Sequence, residues 1–119
     1  MPNYLVLVMS NPVPGREEAF NEWYDDPHLD EVIATTGFSS AQRFELEAAA
    51  GAASPHRYLA LYETAGESPA EVLERLDRSR PRRQQSDAID RAGAGVWVFR
   101  PLGDQHRSID ATAREPGRD

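Results

Sequence analysis

Hydrophobic and polar positions along the chain change their spacing several times, and each change predicts an element. Residues 3–9 are apolar on both alternating faces and are followed by a cluster of Ser, Asn, Pro and Gly, which predicts a first strand. Between Arg16 and Thr36, apolar side chains recur every three or four residues, which predicts a helix. Pro27 interrupts this stripe, and a residue before proline avoids the α region, so we expect a kink or break with Asp26 as an N-cap.

The remaining pattern predicts three strands and one more helix. Residues 38–47 and 57–63 alternate apolar and polar side chains on either side of a small-residue loop, which predicts a β-hairpin. Residues 68–71, SPAE, form a capping box with proline at the first helical position, so a second helix is expected to begin there and to end at Pro81. Residues 96–100 predict the last strand.

The order β-α-β-β-α-β is the split βαβ, or ferredoxin-like, pattern of an α+β fold, with a four-stranded antiparallel sheet. The predicted domain covers residues 1–101, and residues 102–119 form a polar C-terminal tail without a period. Two helices can cover only one face of four strands, and the first and last strands are apolar on both faces. The uncovered face therefore predicts a homodimer that buries sheet against sheet, with the tail lying on the other subunit.

Composition and charge narrow the classes of function. The 119 residues include 13 basic and 20 acidic side chains, and the net charge of -7 disfavours binding to nucleic acid or to an anionic membrane. Cysteine is absent, and all the cations are arginine, which removes disulfides, thiol nucleophiles and Schiff-base chemistry. There is no apolar run of about 18 residues and no leader before the first strand, so we expect a cytoplasmic protein.

Residues 21–31 hold the densest group of side chains that can carry chemistry. Counting in fours places Phe20, Tyr24, His28 and Val32 on one helical face, so the imidazole lies in the apolar stripe. Imidazole can move protons near neutral pH because its ordinary pKa is about 6.5. Two interpretations follow: a core histidine that hydrogen-bonds a backbone carbonyl, or a histidine that transfers protons.

Other residues are candidates for binding an aromatic small molecule. Gln42 is expected to share a strand face with Phe44 and to reach the pocket, whereas Arg43 is expected to point to the opposite face and to pair with an acid at the dimer interface. A register that differs by one residue would exchange these two roles. The arginines between Arg75 and Arg83 are interpreted as a solvated helix end, and the alternative is that they hold a phosphate or an acidic partner. Spacing suited to a metal site is lacking, so neither metal nor cofactor is expected. The predicted substrate-binding residues are Asn11, Trp23, Gln42, Tyr58, Tyr62 and Trp97.

Three segments carry a resemblance to a known superfamily: SNPVPGREEAFNEWYDDPHLDEV, TGFSSAQRFEL and RYLALYE, followed by an aromatic last strand. Over residues 3–101 the chain resembles the dimeric α+β barrel superfamily, in particular its EthD-like or polyketide-cyclase-like small-molecule branch. That superfamily includes polyketide cyclases, an isomerase, dehydratases, cofactor-independent monooxygenases that form quinones, and haem-degrading monooxygenases. The resemblance implies a pocket between sheet and helices in each subunit, with the position of His28 acting as an acid or base.

We therefore expect a small homodimeric enzyme that uses histidine acid/base chemistry without a cofactor. The reaction would be a cyclisation, dehydration or isomerisation of an aromatic or polyketide-like carbonyl compound, with His28 moving the proton and Tyr24 orienting a substrate oxygen. Two alternatives stay open at this point. One is a cofactor-independent monooxygenase of a phenolic or anthrone substrate, and the other is a non-catalytic binding or interaction module whose pocket is filled by its own side chains.

Overall fold

The computed structural model describes residues 1–109 and is an α+β fold with one antiparallel sheet of order β2-β3-β1-β4, compatible with the ferredoxin-like class. Residues 110–119 of the predicted tail lie outside the described residues. The strands are β1 (Asn3–Ser10), β2 (Ser40–Glu45), β3 (Tyr58–Ala65) and β4 (Gly95–Phe99). The helices are α1 (Glu17–Trp23), α2 (Leu29–Thr36) and α3 (Pro69–Ser79).

The first predicted helix is broken where the sequence predicts a break. A kinked connection, Tyr24–His28, joins α1 to α2, and Asp26 inside it has extended backbone angles of φ -158° and ψ 111°. The Asp26–Pro27 peptide is cis. Asp26 thus has the extended backbone expected of an N-cap, and the backbone is helical again at His28, with φ -60° and ψ -50°. A capping hydrogen bond from the Asp26 side chain is not formed with any described residue. The break changes the direction of the chain just before His28, so this histidine lies at the junction between two helical segments.

One face of the sheet carries the core. Its residues alternate along β1 and β3, where Val6 pairs with Tyr62 and both are buried. The helices pack on this inner face through Phe20, Val32 and Val72, which are also fully buried. Phe38, just after Gly37 ends α2 with φ 79°, lies against Tyr62 with ring centroids 5.7 Å apart. The inner face and the helices therefore enclose the space in which a pocket can form.

The outer face of the sheet is largely apolar and partly exposed, and among the described residues His56 lies against it at Trp97, with ring centroids 5.7 Å apart. Its side chains form three rows across the paired strands, which the register places on one side of the sheet. Phe44, Trp97 and Phe99 are between 42% and 52% exposed, which is unusual for large apolar residues. The rows are Ser40, Glu63, Leu5 and Phe99; Gln42, Leu61, Leu7 and Trp97; and Phe44, Leu59 and Met9.

The segment between α3 and β4 forms the remaining wall of the domain. A 3-10 turn, Arg80–Arg82, follows α3, and Arg83 then returns to extended backbone at φ -115° and ψ 147°. Further along, the Val13 N–H donates to the Ala88 carbonyl at 2.7 Å, and the Asp90 N–H donates to the Asn11 carbonyl at 2.9 Å. These bonds hold the segment against the end of β1. Across residues 1–109, every helix is too short or too polar to cross a membrane.

Candidate functional site

A cavity of about 210 Å³ lies between the inner face of the sheet, the α1–α2 junction and the segment after α3. Its buried end is formed by Trp23, Tyr24, Val32, Tyr62 and Arg83. Its other end opens to solvent, because the residues that line it there are exposed, namely Arg80, Gln85, Arg91 and Val96. A pocket with an apolar floor and a few polar groups at its walls is the usual form of a small-molecule site.

His28 lies in the wall of this cavity and stacks on the indole of Trp23. The two ring centroids are 3.9 Å apart with an interplanar angle of 26°, and Tyr24 meets the imidazole edge-on at 5.0 Å. Nδ1 of His28 is buried and has no hydrogen-bond partner among the described residues. The interpretation of His28 as a core histidine bonded to a backbone carbonyl therefore has no support from Nδ1, since no described carbonyl reaches that atom.

The surroundings of His28 keep its imidazole neutral at physiological pH. Burial, followed by the positive charges of Arg83 and Arg91, lowers the pKa of His28 from 6.5 to about 4. A neutral imidazole can accept a proton, so His28 is in the protonation state that a base needs before it reacts.

Two buried tyrosines face the same space. Burial raises the pKa of Tyr24, and the neighbouring Ser10 hydroxyl and Arg43 guanidinium oppose that rise. Burial also raises the pKa of Tyr62 well above its usual range, with Tyr24 adding to the effect. Both phenols therefore stay protonated and can donate a hydrogen bond to a carbonyl or phenolate oxygen of a ligand. Ser10 Oγ is buried without a hydrogen bond of regular geometry among the described residues.

Three arginines line the cavity, and no carboxylate does within residues 1–109. Arg83 is only 8% exposed, although the sequence places it in a run interpreted as a solvated helix end. Its guanidinium donates to the Leu76 carbonyl at 3.3 and 3.4 Å and to the Ser79 hydroxyl, while its Nε is buried with no partner among the described residues. The solvated interpretation is thus wrong for Arg83, because the chain reverses after the 3-10 turn and directs this side chain inward.

The rest of the arginine run has structural partners. Arg75 forms an ion pair with Glu71 at 2.9 Å and donates to the Thr36 carbonyl at 3.1 Å, which ties α3 to the end of α2. Arg78 pairs with Glu74 at 2.8 Å, with both side chains 67% exposed. The single run of cations therefore divides into residues that hold helices together and residues that face the cavity.

The structure reverses the expected orientations of Gln42 and Arg43. Gln42 pairs with Leu61 on the outer face, away from the cavity. Arg43 lies on the inner face, and its guanidinium is within 4.8 Å of the Tyr24 ring centroid. It pairs with Asp25 of the same chain at 2.9 Å rather than with an acid at an interface between subunits. The reason is register: alternation alone fixes which residues share a face but not which face meets the helices.

Of the predicted substrate-binding residues, Trp23 and Tyr62 line the cavity together with the predicted catalytic pair His28 and Tyr24. Tyr58 is on the inner face but belongs to a neighbouring cluster, where the Arg43 guanidinium lies 5.3 Å from its ring centroid. Trp97 lies on the outer face, where it pairs with Leu7.

Asn11 lies at the end of β1, at a loop contact rather than at the cavity. Its Nδ2 donates to the Pro55 carbonyl at 2.8 Å, and its Oδ1 accepts from the Arg57 N–H at 2.7 Å. These two hydrogen bonds fix the loop before β3 against the end of β1.

The sequence indicated Arg80 and Arg83 only as part of an arginine run that could hold a phosphate or an acidic partner, and it did not indicate Arg91. The only available signal was the high density of arginine around Pro81, which ends α3 and makes the chain turn. Among residues 1–109, no three histidine, aspartate or glutamate side chains are grouped so that they could hold a metal ion. The sequence matches neither a protein-family model nor any curated protein.

Proposed function

We propose that this protein is a small-molecule enzyme in which His28 transfers a proton on an aromatic carbonyl compound bound in the cavity. The main supporting observation is that the imidazole of His28 lies in the wall of a cavity lined by the aromatic rings of Trp23, Tyr24 and Tyr62, in surroundings that lower its pKa and favour its neutral form. Such a cavity favours a flat apolar ligand, because ring faces and edges pack well against Trp23 and Tyr62.

The reaction fits a simple acid–base step. The imidazole of His28 takes a proton from a carbon next to the substrate carbonyl, and the electron pair of the C–H bond moves to the carbonyl oxygen to form an enolate. A protonated tyrosine hydroxyl, that of Tyr24 or Tyr62, stabilises the negative oxygen by donating a hydrogen bond. Return of the proton to another atom completes an isomerisation. In a cyclisation the enolate carbon attacks a second carbonyl, the C=O π pair moves to that oxygen, and the resulting alkoxide takes the proton back from the imidazolium of His28. No cofactor is needed for either outcome.

The working form in this proposal is a homodimer of the dimeric α+β barrel type, in the EthD-like branch that the sequence resembles. The apolar outer face supports a second copy as its cover, because side chains such as Phe99 and Phe44 are 52% and 42% exposed. A matching face on an identical subunit would bury these side chains around a two-fold axis.

The proposal is tested by proton exchange on an aryl ketone. Phenylacetone is incubated in deuterated buffer with the wild type or with His28→Gln, and loss of the C–H signals next to the carbonyl is followed by NMR. We expect faster exchange with the wild type than with buffer alone, and a loss of at least tenfold in His28→Gln. Equal exchange rates in the two proteins would contradict the proposal, as would oxygen uptake with an anthrone that is unaffected by His28→Gln.

A further inference from the structure

The cavity has a charge opposite in sign to that of the whole chain. The protein carries a net charge of -7, yet three guanidinium groups and no described carboxylate line this pocket. Arg16, Arg43, Arg57, Arg75 and Arg78 all form ion pairs with acids, whereas Arg80, Arg83 and Arg91 form none with any residue in the range 1–109. Arg82, Arg100 and Arg107 form no ion pair with a described residue either, but these three are exposed and do not line the cavity. Half of the six described arginines without an ion pair therefore lie at this one site.

Arg83 is the deepest of these cations. Burying a charge without a counter-charge is costly, and Arg83 is only 8% exposed. Its bonds to the Leu76 carbonyl and Ser79 hydroxyl offset part of that cost, because they place the cation at the negative end of α3. Its buried Nε still lacks an acceptor among the described residues. The carboxylate of Glu31 is close enough to raise the pKa of Arg83 by its negative charge, but it accepts from the Gln84 N–H at 2.8 Å and does not bond Nε of Arg83.

We infer that the cavity binds a small aromatic carboxylate, with the ring against Trp23 and Tyr62 and the carboxylate at Arg83 and Arg91. This inference rests on the proposed function, because it assigns the class of substrate that the same cavity takes. Arginine suits this role since its planar guanidinium can donate two parallel hydrogen bonds to a carboxylate.

The volume of the cavity limits the size of the ring system. An apolar protein cavity of about 150 Å³ holds one benzene molecule. The cavity here is about 210 Å³, which leaves room for one ring with a carboxylate and a short side chain. A substrate with several fused rings would extend through the open end, past Arg80 and Arg91.

A bound carboxylate would also act on the proposed base. Arg83 and Arg91 both contribute to the low pKa of His28, and a negative group between them would oppose their effect. The substrate would thus bring the pKa of His28 closer to neutrality, where general bases work best. A neutral ligand of the same shape would not raise the pKa of His28 in this way, because it carries no negative charge.

The test compares two probes of nearly the same shape, benzoate and benzamide, by NMR titration of the full chain. We expect benzoate to bind the wild type at least tenfold more tightly than benzamide and to raise the pKa of His28, which benzamide should not do. The variants Arg91→Gln and Arg80→Gln should bind benzoate more weakly than the wild type does and should bind benzamide with unchanged affinity. Both residues are exposed, so these variants should fold even if Arg83→Gln does not.

Arg78→Gln is the matched control, because it removes a cation from the exposed side of α3 and should leave benzoate binding unchanged. Equal affinity for the two probes, or equal loss of benzoate binding in Arg78→Gln and Arg91→Gln, would overturn the inference. These results are separable from the proposed function. If the protein catalyses phenylacetone exchange but binds benzoate no better than benzamide, His28 is still supported as the base and the carboxylate site is rejected. If it prefers benzoate but does not catalyse exchange, the carboxylate site is still supported and the role of His28 as a base is rejected.

Discussion

His28 lies between two aromatic rings at the wall of a cavity, and this environment makes its protonation unfavourable. Its partners in that environment come from different parts of the chain: Trp23 and Tyr24 precede it closely, whereas Arg83 and Arg91 follow more than 50 residues later. Helical spacing in the sequence predicted His28 beside Tyr24, and the two rings do meet at 5.0 Å, although the chain between them is broken at Asp26 and is not a continuous helix. The arginines could not be placed in the same way, because their position depends on the reversal of the chain after α3.

The lowered pKa of His28 predicts a specific dependence of stability on pH. Between pH 6.5 and about 4 the unfolded chain binds a proton at this histidine and the folded chain does not, so the free energy of unfolding falls as the pH falls. The difference between the two pKa values corresponds to a decrease of roughly 3 kcal/mol in the free energy of unfolding over this pH range. Urea unfolding of the wild type and His28→Gln at pH 7, 6, 5 and 4 measures it. The free energy of unfolding of the wild type should fall relative to that of the variant as the pH is lowered. A difference in the free energy of unfolding that stays constant with pH would contradict the predicted pKa.

At the scale of elements, α3 positions the cavity arginines, and its start is well specified. The Ser68 hydroxyl accepts a hydrogen bond from the Glu71 N–H at 3.1 Å, as the capping box predicts, while the Glu71 carboxylate accepts from the Glu67 N–H at 3.3 Å. We expect Ser68→Ala to lower the free energy of unfolding by about 1 kcal/mol, because one backbone N–H loses its acceptor. Ser68→Asp keeps an acceptor and serves as the control in the same urea titration. Equal losses in the two variants would contradict a capping role.

The elements themselves were largely predictable, and their orientations were less so. Strand alternation, the Pro27 break and the capping box depend on local chemistry, and each appears in the fold near its expected position. Gln42 and Arg43 show what local chemistry leaves open. They were assigned to the wrong faces because two neighbouring residues of a strand always lie on opposite sides, and only packing against the helices decides which side is buried. The ion pair with Asp25, which lies in the kinked connection between α1 and α2, favours the inward orientation of the Arg43 side chain.

At the scale of the whole molecule, the partly exposed outer face predicts self-association. We expect the wild type to sediment as a dimer at micromolar concentration and Leu61→Arg to sediment as a monomer with an unchanged circular dichroism spectrum. Leu61 lies in the middle row of that face between Gln42 and Leu7, so a charge there would be buried in the interface. Leu73→Arg is the control, because Leu73 is 41% exposed on α3. A monomeric wild type would contradict the proposed dimer.

The central claim is that His28 acts as a base in the cavity, and the pH profile of proton exchange tests it most directly. The rate of phenylacetone exchange catalysed by the wild type should rise as His28 loses its proton near pH 4 and should be flat from pH 5.5 to 8. In His28→Gln the catalysed rate and its inflection should both disappear. A wild-type profile without an inflection near pH 4, or one that persists in His28→Gln, would show that the proton is taken by another group.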